Sequence, residues 1–443
     1  MAAVRARGRG GALGRVALAA ALLLVGCRAA ARPPERLDEG HLFRPTSKPV
    51  ISSPLVFDAN GDGRPEIAVG SWDGYFYLLD DQLEDLPGWP IYSRRGFFPS
   101  AALADLDGDG RPEIVAGSDA GKLFAWRHDG RDAEGFPVDL GYMIWASPTI
   151  LDGPRIAIGG LDQMHLLDAR GRPVAGWPQP MLGWPDATAA HAPGLLAVTA
   201  LTPGDPSQGW AYAWNEAGTQ LPGFPVELEA DSDSSPALAD FDGDGARWLV
   251  FGDDAGWLHV VGRDGRPRDG FPVRSLGAVT GPTPTPHPPG GNIHSIEASP
   301  AVADLDGDGR LEIAVGAWDG RMYLWDDAGQ PLPGWPIQVG DQIISSAALA
   351  DLDGDGQLDI VVGSKDRHLY GWTAAGQALP GFPYDLGAPV FSSPWVGDLE
   401  GDGRADIVVG ADNGIHLLRD VGPLGASPWP MFHRDEARGG AMP

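Results

Sequence analysis

The chain has 443 residues with 32 basic and 60 acidic side chains, a formal net charge of −28 and a single cysteine. Acidity on this scale, with no basic footprint, argues against a nucleic-acid partner, and one cysteine excludes an intramolecular disulfide. The 64 glycines and 42 prolines are enough to punctuate the chain every ~8–12 residues, as short-stranded β folds require.

From the N-terminus, Arg5, Arg7, Arg9 and Arg15 precede the apolar run Val16–Val25. This pattern reads as a signal peptide over residues 1–26, too short to span a membrane. The run ends Leu-Val-Gly-Cys at residues 24–27. That string resembles the bacterial lipobox, and the resemblance implies a lipid on Cys27 after cleavage. Two or three acyl chains anchor stably where one does not. Residues 27–47, with Pro33, Pro34 and Pro45, read as the lipidated cysteine and a spacer. The expected location is the bacterial cell envelope, with attachment through the lipid. Arg28 points to the outer membrane or cell surface over the inner membrane.

The string Asp-Leu-Asp-Gly-Asp-Gly then occurs at Asp105, Asp304 and Asp351, with variants starting at Asp58, Asp240 and Asp398. Neighbouring copies lie 47 residues apart, as from Asp58 to Asp105 and from Asp304 to Asp351. Each repeat opens on a small-residue apolar stretch such as Ser-Ser-Pro-Ala-Leu-Ala at Ser234. Each closes on an aromatic before proline: Trp89, Phe136, Trp177, Phe224, Phe271, Trp335, Phe382 and Trp429. Within the sixth repeat, strands are expected at Pro300–Ala303, Glu312–Gly316, Arg321–Trp325 and Gly334–Val339. Four short strands recurring at this period predict an all-β propeller over residues 48–433 with eight blades, seven being the alternative, and a tail at 434–443. Ring closure is expected where Trp429–His433 meets the first blade or the segment Leu42–Val50. An EF-hand would need an acid at the twelfth loop position and flanking helices; here that position holds Val69, Ala116, Phe251, Val315, Val362 or Val409, each followed by glycine.

Carboxylates at alternate positions of a tight glycine-rich turn converge on one point, which suits a hard cation such as calcium. The repeats resemble the FG-GAP and VCBS repeats that build the N-terminal propeller of integrin α chains. In that family, calcium is held by side chains at loop positions 1, 3, 5 and 9 and the carbonyl at 7. The resemblance implies Asp58, Asn60, Asp62, Arg64 and Glu66 in the first repeat. In the second it implies Asp105, Asp107, Asp109, Arg111 and Glu113. The sixth and seventh offer Asp304, Asp306, Asp308, Arg310 and Glu312, then Asp351, Asp353, Asp355, Gln357 and Asp359. The eighth offers Asp398, Glu400, Asp402, Arg404 and Asp406. About five calcium sites follow. The fifth repeat has Asp240, Asp242 and Asp244 but Trp248 at position nine, a weak or empty site. The third and fourth repeats have no acid series. Integrins have seven blades, so the resemblance does not settle blade number.

No short catalytic motif is present, and a vicinal cysteine pair, frequent in quinone-dependent dehydrogenase propellers, is impossible. The expected working surface is the face opposite the calcium loops, where a protein or glycan ligand would meet Trp72, Tyr92, Arg94, Arg95, Tyr142, Trp145, Trp184 and Trp318. The insertion Gly277–Glu297 is expected there too. The function expected is a non-catalytic binding, adhesion or scaffold propeller. The alternative is a polysaccharide lyase or hydrolase whose acids come from different blades.

Overall fold

The computed structural model describes residues 33–38, 40–202, 208–276, 294–436 and 438–441. Residues 1–26, expected to be a signal peptide, Cys27 and most of the long insertion lie outside them. The described residues contain no helix and form eight sheets arranged as an eight-bladed β-propeller. In the sixth blade the strands are Ala301–Ala303, Glu312–Gly316, Arg321–Trp325 and Ile337–Gln338.

The repeat dictates each strand's place. Inner strands such as Ala237–Ala239 and Ala348–Ala350 are short, small and buried, because eight of them crowd the axis. Second strands such as Glu312–Gly316 are buried throughout and read as continuous apolar runs. They end in glycine because the neighbouring blade leaves no room: a Cβ on Gly316 would stand 2.1 Å from Ile343 Cγ2. Third strands carry the aromatics that fill the space between blades. Trp126 packs its ring 5.2 Å from Phe76 and 5.8 Å from Trp89; such pairs contribute about 1 kcal/mol beyond burial. The pre-proline aromatics also link blades: the indoles of Trp89, Trp177 and Trp335 donate to the carbonyls of His128, Glu216 and Ala374, each 39 residues on.

Closure differs from the expectation. The outer strand of the eighth blade is His41–Pro45, paired antiparallel with Gly414–Pro423 and flanked by Glu35–Asp38. Buried Arg44 fastens it to the first blade, donating to Asp85 at 2.7 Å and to the Leu83 carbonyl at 3.1 Å. Trp429 closes no blade. It lies in the central channel, where its carbonyl accepts from Leu349 N at 2.8 Å. The segment Leu424–Ala441 runs on along that channel instead of ending the ring as a strand at Trp429–His433 or trailing away as a tail. Backbone amides of Leu103, His191, Leu238, Leu349 and Val396, on five inner strands, donate to it. A chain passing through the axis satisfies inner-strand amides that have no further strand to pair with.

A second closure is made by hydroxyls. Ser53, Ser100, Ser147, Thr188, Ser235, Ser299, Ser346 and Ser393 stand at one position of the eight blades. Each backbone N–H donates to the next hydroxyl, at 2.8–3.1 Å, and Ser393 returns to Ser53.

Candidate functional site

The propeller presents two distinct ends. At one end the acidic loops stand beside the turns that join third and outer strands. In the second blade Asp105 accepts Gly108 N at 2.8 Å and Gly110 N at 3.1 Å, Asp109 accepts Arg111 N at 2.8 Å, and Glu113 accepts Leu106 N at 2.8 Å. The sixth and seventh blades repeat the pattern. Carboxylate oxygens converge within 4.8 Å of one another in Asp105/Asp107/Glu113, Asp304/Asp306/Asp308 and Asp351/Asp353/Asp355. Burial, with the neighbouring loop acids, pushes the ninth-position carboxyls of Glu312 and Asp359 up to about 7. Converging oxygens that repel one another fit a hard dication, which would relieve both penalties.

The protein also supplies its own cations: in the second blade Arg127 reaches Asp107 at 2.5 Å. In the eighth blade Glu400 is drawn to Arg419. In the fifth, Arg268 grips Asp242 with two contacts of 2.9 Å, and the Trp248 indole donates to the same carboxylate at 3.0 Å. Between the third and fourth blades Arg155 holds Glu216 at 2.6 Å. That guanidinium pulls the Glu216 carboxyl down to about 2, against its partial burial.

At the opposite end the inner strands begin, and the channel widens into a well of about 430 Å³. Phe432, carried up the axis by the threaded segment, forms part of its lining. The walls come from one slot in each blade, two residues before the hydroxyl ring. Five consecutive blades, the seventh, eighth, first, second and third, fill that slot with Ile344, Phe391, Ile51, Phe98 and Trp145. The other three place acids there: Asp186, Asp233 and Glu297. Phe98 and Trp145 stack with centroids 5.8 Å apart, and the Trp318 indole donates to Glu297 at 2.7 Å. Burial raises the Asp186 carboxyl to about 6. It also raises Asp233 and Glu297, each further elevated by neighbouring carboxylates. Asp254, which accepts from Ser295 Oγ at 2.7 Å, stands at about 6, again mainly through burial.

A family model described as FG-GAP-like repeat matches residues 58–116 and 304–362. The chain carries FG-GAP-like repeats. No curated protein matches the chain in sequence. Among solved structures, the FG-GAP-repeat propeller resembles the quinohemoprotein alcohol dehydrogenase of Comamonas testosteroni at 12% identity and a TM-score of 0.62, covering 87% of this chain and 76% of that one. A europium-containing methanol dehydrogenase follows at 14% identity and a TM-score of 0.59, with 84% of each chain covered. The computationally designed Ika8 protein follows at 15% identity and 0.54, covering 85% of this chain and 98% of that one. At these identities the likeness is one of fold.

Of the ligand-face residues read from the sequence, Trp145 and Trp318 line the well of the FG-GAP-repeat propeller. Trp72 stands behind Phe98 with ring centroids 6.2 Å apart. Tyr142 and Trp184 line a smaller hollow of about 80 Å³ that shares Trp145 and Asp186 with the well. Tyr92 and Arg94 lie outside the lining, Tyr92 packing on Tyr75 at 4.8 Å, while Arg95 lowers the burial-raised carboxyl of Asp119. The insertion contributes Glu297; residues 277–293 lie outside the described residues. Sequence reading missed Asp186, Asp233, Phe98, Phe391 and Lys365. Aligning the eight repeats on their hydroxyl and reading two residues back would have found the first four.

Proposed function

We propose that this protein is a calcium-stabilised, lipid-anchored envelope propeller that binds a ligand non-catalytically in its central well, at the end opposite the acidic loops. The observation that supports this is the break in the repeat. The hydroxyl ring and the loops recur for structural reasons, whereas the slot that faces the well varies among isoleucine, phenylalanine, tryptophan, aspartate and glutamate. A concave, largely apolar site with a few converging polar groups and shifted carboxyls is the usual form of a ligand site. Cys27 would tether the propeller, with residues 27–47 as spacer; Cys27→Ser should release the protein from the detergent phase.

The test is capture on combined glycan and peptide arrays by the detergent-solubilised protein. Trp145→Ala and Phe98→Ala should abolish capture, and Asp353→Ala at the other end should leave it intact. Capture that survives both well variants, in protein with an unchanged melting curve, would overturn the reading. A second reading rests on the raised carboxyls of Asp186, Asp233 and Glu297, because a carboxyl held above its ordinary range can act as a general acid on polysaccharide. Release of reducing sugar or unsaturated ends, lost in Asp233→Asn, would establish that reading instead.

A further inference from the structure

Resting on the well as the binding site, we propose that its ligand is an organic cation with an apolar flank: a guanidinium or ammonium group facing Asp186, Asp233 and Glu297, with its hydrocarbon part against Phe98, Trp145 and Phe391.

The well is divided into sectors. The three acids occupy consecutive blades, and the apolar side chains fill the same slot of the other five. A ligand spanning the well meets charge on one side and ring faces on the other. An anion is excluded by the charge. A bare dication finds no compact cage, because the well acids form none of the groups of oxygens that converge within 4.8 Å among the described residues. Charge spread over three blades suits a cation of comparable breadth, and aromatic walls add attraction for it.

Two details point to a donor. Among the described residues Asp186 Oδ2 is buried without a hydrogen-bond partner, and a buried acceptor left unmade costs stability unless a ligand completes it. Lys365, the cation in the lining, is engaged by other groups: its Nζ donates to Gln342 Oε1 at 2.8 Å and lies 5.5 Å from the Phe391 ring centroid, and its pull on Glu297 is the smallest of the influences there. It therefore leaves the acidic sector short of positive charge. Asp231 and Asp254 add further negative charge behind Asp233.

The acids also make the capture pH-dependent. Burial raises Asp186, burial together with neighbouring carboxylates raises Asp233, Asp254 and Glu297 above the usual carboxylate range, and Lys365 lowers Glu297 only as the smallest influence. Protonated at low pH, they present a neutral wall. Ionised at higher pH, they hold the cation. Affinity therefore rises with pH and binding releases protons.

The experiment is isothermal titration of the whole protein with matched probes. Benzoyl-arginine amide is paired with its neutral isostere benzoyl-citrulline amide, and phenethylammonium with phenethyl alcohol. The cation of at least one pair should bind at least about tenfold more tightly than its neutral partner. That preference should fall about tenfold in Asp233→Asn and in Glu297→Gln, with the melting curve as a check on folding; Asp186→Asn serves if either variant fails to fold. Which cation binds tells an arginine-like ligand from a free aromatic amine. Equal binding of cation and isostere, or a preference untouched by the variants, overturns the inference. If neither cation binds while Trp145→Ala abolishes array capture, the ligand class is wrong and the well stands. If array capture survives Trp145→Ala, the well itself is wrong.

Discussion

At the loop end of the ring, the sixth and seventh blades and the third to fifth blades are built differently. In the sixth and seventh, three or four carboxylates converge and the protein brings no cation among them; Glu312 and Asp359 are driven up to about 7. In the fifth a guanidinium stands in, Arg268 on Asp242, while the third and fourth, without an acid series, are joined by Arg155 on Glu216. With the proposed calcium in place, the first arrangement would make stability depend on an ion from solution. The second is internal and always present, because arginine stays charged. One ring therefore holds an arc conditional on the medium and an arc that is not.

The largest expected effect is that of a chelator. Extracellular-type sites bind calcium with Kd of about 10⁻⁴–10⁻³ M, and each site held at ten times its Kd contributes about 1.4 kcal/mol by mass action. Five sites would then contribute about 7 kcal/mol. The melting temperature should fall sharply in chelator, and magnesium should restore it poorly. An unchanged melting curve would break the comparison. Next is Glu216→Ala, expected to cost about 2 kcal/mol at neutral pH whether or not calcium is present, a value reduced for the partial exposure of the Arg155–Glu216 pair. Its sign with pH is fixed. The folded Glu216 carboxyl lies near 2, below its ordinary value of 4.5. The stabilisation is thus complete above about 4.5 and is lost as pH falls toward about 2. Denaturant melts of both chains at pH 7 and pH 3 check it: the difference between them should shrink at the lower pH.

A smaller effect is expected of Asp353→Ala, which should remove one calcium equivalent by titration and leave the rest. The finest test converts one arc into the other. Trp248→Glu restores the ninth acid of the fifth blade, and Arg268→Met frees Asp242. The pair of changes should add one calcium equivalent, whereas Trp248→Glu alone should not, because the guanidinium still holds Asp242. If the single change suffices, Arg268 is not the stand-in described.

What the sequence disclosed was whatever short-range chemistry determines. The loops were legible because their carboxylates and glycines lie within nine residues, and the sixth blade's second and third strands were legible from apolar runs bounded by turns. Ring closure was legible only in its N-terminal half: the segment Leu42–Val50 was expected at the seam, but His41–Pro45 pairs with residues about 370 positions away, and local propensity has no bearing on that choice. Trp429 looked like an eighth closing because its neighbourhood copies the motif; only the channel shows that it packs along the axis. The well acids went unnoticed for the opposite reason. Asp186, Asp233 and Glu297 stand in openings that, read singly, look like loop residues, and their meaning comes from the five blades that place apolar groups in the same slot.

The threaded segment Leu424–Ala441 gives the fold a lock as well as a floor. It bridges amides on five blades that span nearly 300 residues of chain, so it can seat only after the ring has assembled, and the ring can open only once it withdraws. Contacts so distant in sequence slow assembly, and a peg of this kind slows escape in equal measure. Where reclosing is slower than chemical exchange, the amides of Leu103, His191, Leu238, Leu349 and Val396 should therefore share one hydrogen-exchange rate. That common rate would time the withdrawal of the peg, independently of any calcium held at the rim.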